Sequence, residues 1–313
     1  MSISEEGFLN DLKEVYLAWN FSGSHYMDMG RVNVKNGVAL GFNPTGYFKK
    51  DAVTVRVSQD TSILRENRLG ALMFRAQGIW EKGTFTLAVA PEVPHGRGEW
   101  WTDSYGGGLQ LQRTNDRTRV HAKFDMNVFP DLKPELLYFY DDGRSNVGLN
   151  LTRGVGANII AYAEWNLGQR RGIMGDSLED ARKAGAIPFE APNVIPTDMG
   201  IRFQNQLAVG FSYSEKINRT TNIEYHYNEA GFSSQNWDDW FSAGATAARL
   251  LQIPAMAGTG QSVLGQLWAI RQFAQEAQEP LSQHALFIRS FWQDALINRL
   301  DLTGIFQINH PGW

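Results

Sequence analysis

The sequence predicts an all-β fold: a transmembrane up-and-down antiparallel β-barrel of about twelve or more strands. Three observations predict it. Apolar and polar residues alternate with period two in about twelve stretches. Most of these stretches run longer than the strands of water-soluble domains. The connections between them sort into short and long kinds.

The alternation is plainest in TRVHAKFDMNV, Thr118 to Val128. Val120, Ala122, Phe124, Met126 and Val128 fall on one face. Arg119, His121, Lys123, Asp125 and Asn127 fall on the other. The same pattern recurs in QLAVGFSYS, NIEYHYN, NIIAYAEWN and RLDLTGIFQIN. LMFRAQGIW sets Leu72, Phe74 and Trp80 against Arg75 and Gln77. The strands predicted in this way lie near 12–19, 25–33, 69–80, 84–90, 117–128, 135–141, 146–153, 157–166, 204–214, 220–228, 283–292 and 299–309. Many approach the length of about 9–11 residues that a tilted membrane strand needs. Strands in globular proteins have about 5–6.

Short turns such as FSGSH, EKG, FPDLK, GVG, EKINR and QDALIN alternate with long gaps at 34–68, 91–116, 167–203 and 229–282. DDGRSN is the one departure. Such sorting places turns of one kind at one end of an up-and-down sheet. Greek-key sandwiches do not sort loop length by end.

An apolar face on every strand needs an apolar neighbour, either an opposing sheet or lipid. Strand length, loop asymmetry and aromatic placement favour lipid. Trp19, Trp80, Trp165, Tyr213, Tyr227 and Trp292 cluster near strand ends, where membrane-interface girdles form. The polar face then lines a lumen, with Glu14, Asp28, Arg75, Arg119, His121, Lys123, Asp125, Glu164, Glu224, His226 and Asp301 on it. Ala18, Ala88, Gly148 and Gly210 on that face suit a crowded interior. In YMDMGRV, strict alternation turns Arg31 towards lipid. Either the membrane ends before Arg31, or Gly30 marks a bulge that re-aims it. PELLYFYDD and HALFIRSFW are nearly equally apolar on both faces, so neither can be oriented.

Residues 1–313 read as a single domain, with 229–282 as a long helical insertion. NWDDWFSAGATAARLLQIP carries apolar residues at helical spacing, with Asn236 placed to cap it. VLGQLWAIRQFAQEAQEP repeats the pattern, and DSLEDARKAGA is a weaker third. A loop of this length and apolarity folds onto something. Entry into the lumen and packing on neighbouring loops are both open.

Composition narrows the function classes. Hydrophobic residues are 43% and charged residues 20%, with a net charge of −4. That gives no nucleic-acid footprint. Zero cysteines exclude disulfides, thiol catalysis and cysteine metal sites. A mean hydropathy of −0.33 would suit a soluble protein, but alternating membrane strands average to the same value. No cofactor or metal motif is visible. GTGQS lacks the lysine of a phosphate loop, and GVGANI lacks the third glycine of a dinucleotide fingerprint. His226 with Glu224, and His121 with Asp125, are the best acid–base pairs. Both read first as lumen hydrogen-bond networks. HGRGEWW, 95–101, reads as an interface anchor before a sugar-stacking loop.

GRVNVKNGVALGFNPTGYFKK, residues 30–50, resembles Gram-negative outer-membrane porin-type barrels. Those families often have a strand ending in Gly-Arg, a glycine-containing loop and an Asn-Pro turn before an aromatic. Gly30, Arg31, Gly37, Gly41, Asn43, Pro44 and Phe48 match. The resemblance implies a non-enzymatic channel in the outer membrane of a Gram-negative bacterium. Its partners would be the lipid bilayer and small hydrophilic solutes passing passively. The 229–282 loop is a candidate constriction. Trimers are common among porins, so a homo-oligomer is open. Alternatives are a polysaccharide export barrel, a barrel enzyme and a soluble β-rich binding protein. MSISEEGFLNDLKEV lacks an export signal and INHPGW does not end as a strand, so the chain reads as a fragment with twelve strands as a lower bound.

Overall fold

A computed structural model describes residues 12–53, 60–93, 110–127 and 129–310. The HGRGEWW loop and Val128 lie outside these. Twelve strands form one antiparallel sheet in strict sequence order. They are β1 (Val15–Asn20), β2 (His25–Val32), β3 (Ala71–Trp80), β4 (Gly83–Ala90), β5 (Arg119–Met126), β6 (Leu132–Asp141), β7 (Arg144–Val155), β8 (Ile159–Arg170), β9 (Arg202–Ser214), β10 (Arg219–Asn228), β11 (His284–Trp292) and β12 (Leu302–His310). Every strand expected from alternation is present, with ends shifted by a few residues. The tight β6–β7 connection is Asp142-Gly143, with φ of 44° and 84°. Both residues are left-handed, as a two-residue type I′ hairpin requires.

The chain divides into two compact units, Met1–Asn36 with Gly46–Val147 and Gly37–Thr45 with Gly148–Trp313. In the first, the strand register runs Ala18–Asp28–Arg75–Ala88–His121–Phe139 across β1 to β6. Residues directly opposite share a face. The pairing passes through Gly30 with no extra residue, so there is no bulge there. Arg31 is instead buried at the end of β2, where its Nε donates to the Gly70 carbonyl at 2.8 Å. A small cluster of Val32, Val34, Ala71, Met73, Ala88 and Ala90 packs beside Phe48. On β6, Leu137 and Phe139 take the buried face while Leu136, Tyr138 and Tyr140 are exposed, which orients PELLYFYDD.

In the second unit, two adjacent rows cross the sheet on one face. They are Tyr162–Gly210–Glu224–Phe287–Gln307 and Glu164–Ala208–His226–Ala285–Asn309. Ala285 and Phe287 thereby orient HALFIRSFW. Three helices join these strands at their long connections: α3 (Ile173–Lys183), α4 (Ser234–Leu251) and α5 (Ala257–Glu276). Their shared core gathers Ile173, Leu178, Phe232, Leu267 and Ile270, with residues from 187–199. Helix α4 starts earlier than its sequence suggests. Ser233 is the N-cap and Asn236 is its capping-box partner, because Asn236 accepts from the Ser233 N–H at 3.1 Å. Two further short helices, α1 (Thr61–Glu66) and α2 (Leu111–Thr114), have no periodic signature in the sequence.

Candidate functional site

Burial on β8 to β10 is inverted relative to a water-soluble protein. On β8 to β10 most buried side chains are polar: Glu164, Asn166, Gln204, Gln206, Asn222, Glu224, His226 and Asn228, with Tyr162 and Ala208 among them. The side chains between them are mostly apolar and several are open, with Val209 at 44%, Phe211 at 40% and Tyr225 at 42%. Buried polar groups persist only when hydrogen-bonded, and most of these are. Asn166 donates to Gln206 at 3.3 Å, and Gln206 donates to Asn228 at 3.3 Å. Asn228 donates to the Pro280 carbonyl at 3.1 Å.

The centre of the second unit is a pair of carboxylates, both 0% exposed. Glu164 accepts the Val38 N–H, and the Ala39 N–H at 2.6 Å. Glu224 accepts the N–H groups of Leu40 at 2.7 Å and Gly41 at 2.8 Å. Glu224 also accepts the Tyr162 hydroxyl at 2.6 Å and lies 2.9 Å from His226 Nε2. Four donors saturate a carboxylate. The Thr45 hydroxyl lies 3.0 Å from Asn150 Oδ1 and 3.3 Å from Glu164 Oε2, and the Phe42 ring meets His226 edge-on at 5.5 Å. Four successive backbone amides, 38 to 41, are thus held by the wall. The approach leaves no clearance. Gly37 has φ +71°, and a Cβ there would overlap the Glu164 carboxylate. A Cβ on Gly41 would sit 2.7 Å from the Phe287 ring.

The first unit holds its own stretch, 46–53, against its strands. Tyr47 stacks on Phe139 with centroids 4.6 Å apart, and Phe48 meets Phe139 edge-on at 5.3 Å. Arg113 donates to the carbonyls of Asp51 and Val53. His121 Nε2 is 3.2 Å from Asn36 Nδ2.

The charged residues expected to line a lumen fall into local groups. Asp28 pairs with Arg75. Arg119 pairs with Asp116 at 2.6 Å and Asp141 at 3.3 Å. Lys123 pairs with Asp125 at 2.8 Å and Glu135 at 3.5 Å. Glu14 accepts the Asn33 N–H, and Asp301 accepts the Asp294 N–H. Glu224 and His226 do meet, in the closed network around the two carboxylates.

The six aromatics all lie on the apolar face by register. Trp19, Trp80, Tyr213, Tyr227 and Trp292 sit within one residue of strand ends. Trp165 is mid-strand, because β8 and β9 continue past the end of β10. The register Trp165–Leu207–Tyr227 still sets it level with that end.

Outside the strands, Asp116 is the informative titratable group. Burial pushes its carboxyl up, but hydrogen bonding from Arg117 and the charges of Arg119, Arg117 and Lys50 outweigh this and hold it below the usual carboxylate range.

The sequence marked 37–45 only through its resemblance, and its contacts with Glu164 and Glu224 were not foreseen. Its contacts with the two carboxylates are made largely by backbone amides, which leave no side-chain signature. The insertion 229–282, the constriction candidate from sequence, packs α4 on α5 and α5 on α3. Gly37 and Gly41, and the Asn43-Pro44 turn, were the signal the sequence carried.

No known family profile matches the chain, and no curated protein matches it. Among the solved structures similar in architecture are two from Pseudomonas aeruginosa. Pseudomonas aeruginosa OccK11 (OpdR) is 11% identical, with a TM-score of 0.46, covering 91% of this chain and 60% of that one. Pseudomonas aeruginosa OccK8 (OprE) is 12% identical, with a TM-score of 0.47, covering 93% and 64%. The chain therefore spans less than two thirds of either.

Proposed function

We propose that the sheet forms an outer-membrane β-barrel of a Gram-negative bacterium and acts as a channel for passive passage of small hydrophilic solutes. In this reading the apolar face meets lipid and the six aromatics mark its borders. The polar face, with Glu14, Asp28, Arg75, Arg119, His121, Lys123, Asp125, Glu164, Glu224, His226 and Asp301, surrounds the lumen. Residues 37–45 and 46–53 narrow it. The observation that carries the reading is the inverted burial of β8 to β10, with amides and carboxylates inside and Val209, Phe211 and Tyr225 outside. In water such a face would be a large exposed apolar patch. In lipid it is the required surface.

Paired charges of both signs favour weak ion selectivity, since no single-sign ladder is present among the described residues. Planar-bilayer recording on micelle-refolded protein tests the function. Stepwise conductance that persists at low voltage is expected. Folded, inserted protein that passes no current would remove the channel reading.

A further inference from the structure

We propose that Glu164 and Glu224 are positioning residues that latch residues 37–45 onto the inner wall, with Glu224 as the dominant hold. This rests on the channel reading, because the latched segment is one of those proposed to narrow the lumen. Two independent observations carry it. The first is the run of amides 38 to 41 on two carboxylates that are both fully buried. The second is the glycine clearance: Gly37 fits against Glu164, and Gly41 against Phe287 and His226, only because neither has a Cβ.

The two carboxylates are not equivalent. Glu164 takes both amides on Oε1 and faces Thr45 through Oε2. A glutamine there can keep its carbonyl on both amides. Glu224 takes donors on both oxygens: Leu40 and Tyr162 on Oε1, Gly41 and His226 on Oε2. A glutamine there must point its NH2 at a backbone N–H in either orientation, Leu40 or Gly41, because the Tyr162 hydroxyl and the His226 ring can turn acceptor but an amide N–H cannot. The latch therefore depends on the charge state and acceptor count of Glu224 more than on those of Glu164. The groups facing Glu224 are Tyr162 from β8, His226 from β10, Phe287 opposite it on β11 and the amides of 40 and 41.

The absence of cysteine permits a direct test. Ala39, 1% exposed in the latched segment, is replaced by cysteine, A39C, and its labelling by a small maleimide is timed in micelles. The latch predicts that E224Q raises the labelling rate by about tenfold or more through local opening. E164Q should change it by less than about threefold. L40P removes one donor without touching the strands and should also speed labelling, which keeps the test decisive if E224Q does not fold. Wild-type labelling rates in folded A39C/E224Q, or in A39C/L40P, would overturn the latch. Labelling needs no conductance, so a wild-type protein silent in bilayers would remove the channel reading and leave the latch standing or falling on these rates.

Discussion

Arg75 on β3 reaches Asp28 on β2 with Nε at 2.8 Å and Nη2 at 2.5 Å, both on the single oxygen Oδ2. Asp28 is 9% exposed, and Arg75 compensates the burial of its carboxylate. R75A should destabilise the fold by about 1–3 kcal/mol, because it leaves an uncompensated buried carboxylate. D28N/R75Q should cost less than R75A alone. Urea unfolding in micelles, followed by tryptophan fluorescence, measures both. Equal losses would mean that the pair is not energetically coupled.

The apolar face can be tested with one charge. Val209 lies in the middle of β9 and is 44% exposed. V209K should cost about 2–4 kcal/mol if that face meets the centre of a bilayer. On a water-facing surface the same change stays within about 0.5 kcal/mol. Folding yield into vesicles, compared with unchanged protein, separates these values.

Acid sensitivity should have a local component at Asp116. Its carboxyl is held low by Arg117 and Arg119 against the opposing effect of burial. A depressed folded pKa stabilises above the unfolded value, and that contribution fades as pH falls through the folded value. D116N should therefore lower stability at neutral pH and flatten the acid limb of the stability–pH curve. A parallel downward shift of the whole curve would contradict this assignment.

Helix α4 depends on its capping box. Ser233 Oγ accepts the Asn236 N–H at 3.3 Å, and Asn236 Oδ1 accepts the Ser233 N–H at 3.1 Å. S233A should cost about 1 kcal/mol, concentrated in the first turn. Faster hydrogen exchange at residues 235–238, with strands unchanged, is the expected signature. Unaltered exchange there would show that packing on Ser282 through Trp237 Nε1 suffices.

The strands were legible because period-two alternation survives in single residues. Leu207, Val209, Phe211 and Tyr213 point one way, and Gln206 and Ala208 the other, without any need for context. The orientations of β6 and β11 were not legible. Phe139 and Phe287 are large apolar residues on the polar face, where they meet Tyr47 and the Gly41 approach. Alternation fails where a loop lies over the sheet, since the loop supplies apolar partners that sequence distance hides. Arg31 failed for the same reason: its burial comes from Gly70 and Thr114, 39 and 83 residues away. Within the candidate site, Glu164, Glu224 and His226 could be named from the sequence. Their partners are largely backbone N–H groups, which every residue but proline has.

The most direct measurement of whether the apolar face belongs in lipid is far-UV circular dichroism of the purified chain, in detergent-free buffer and after refolding into micelles. A membrane barrel should aggregate in buffer and give a stable β signal with cooperative melting only in micelles. Monodisperse protein with a cooperative β melt in buffer alone would contradict it, because the face carrying Val209, Phe211 and Tyr225 would then be stable against water.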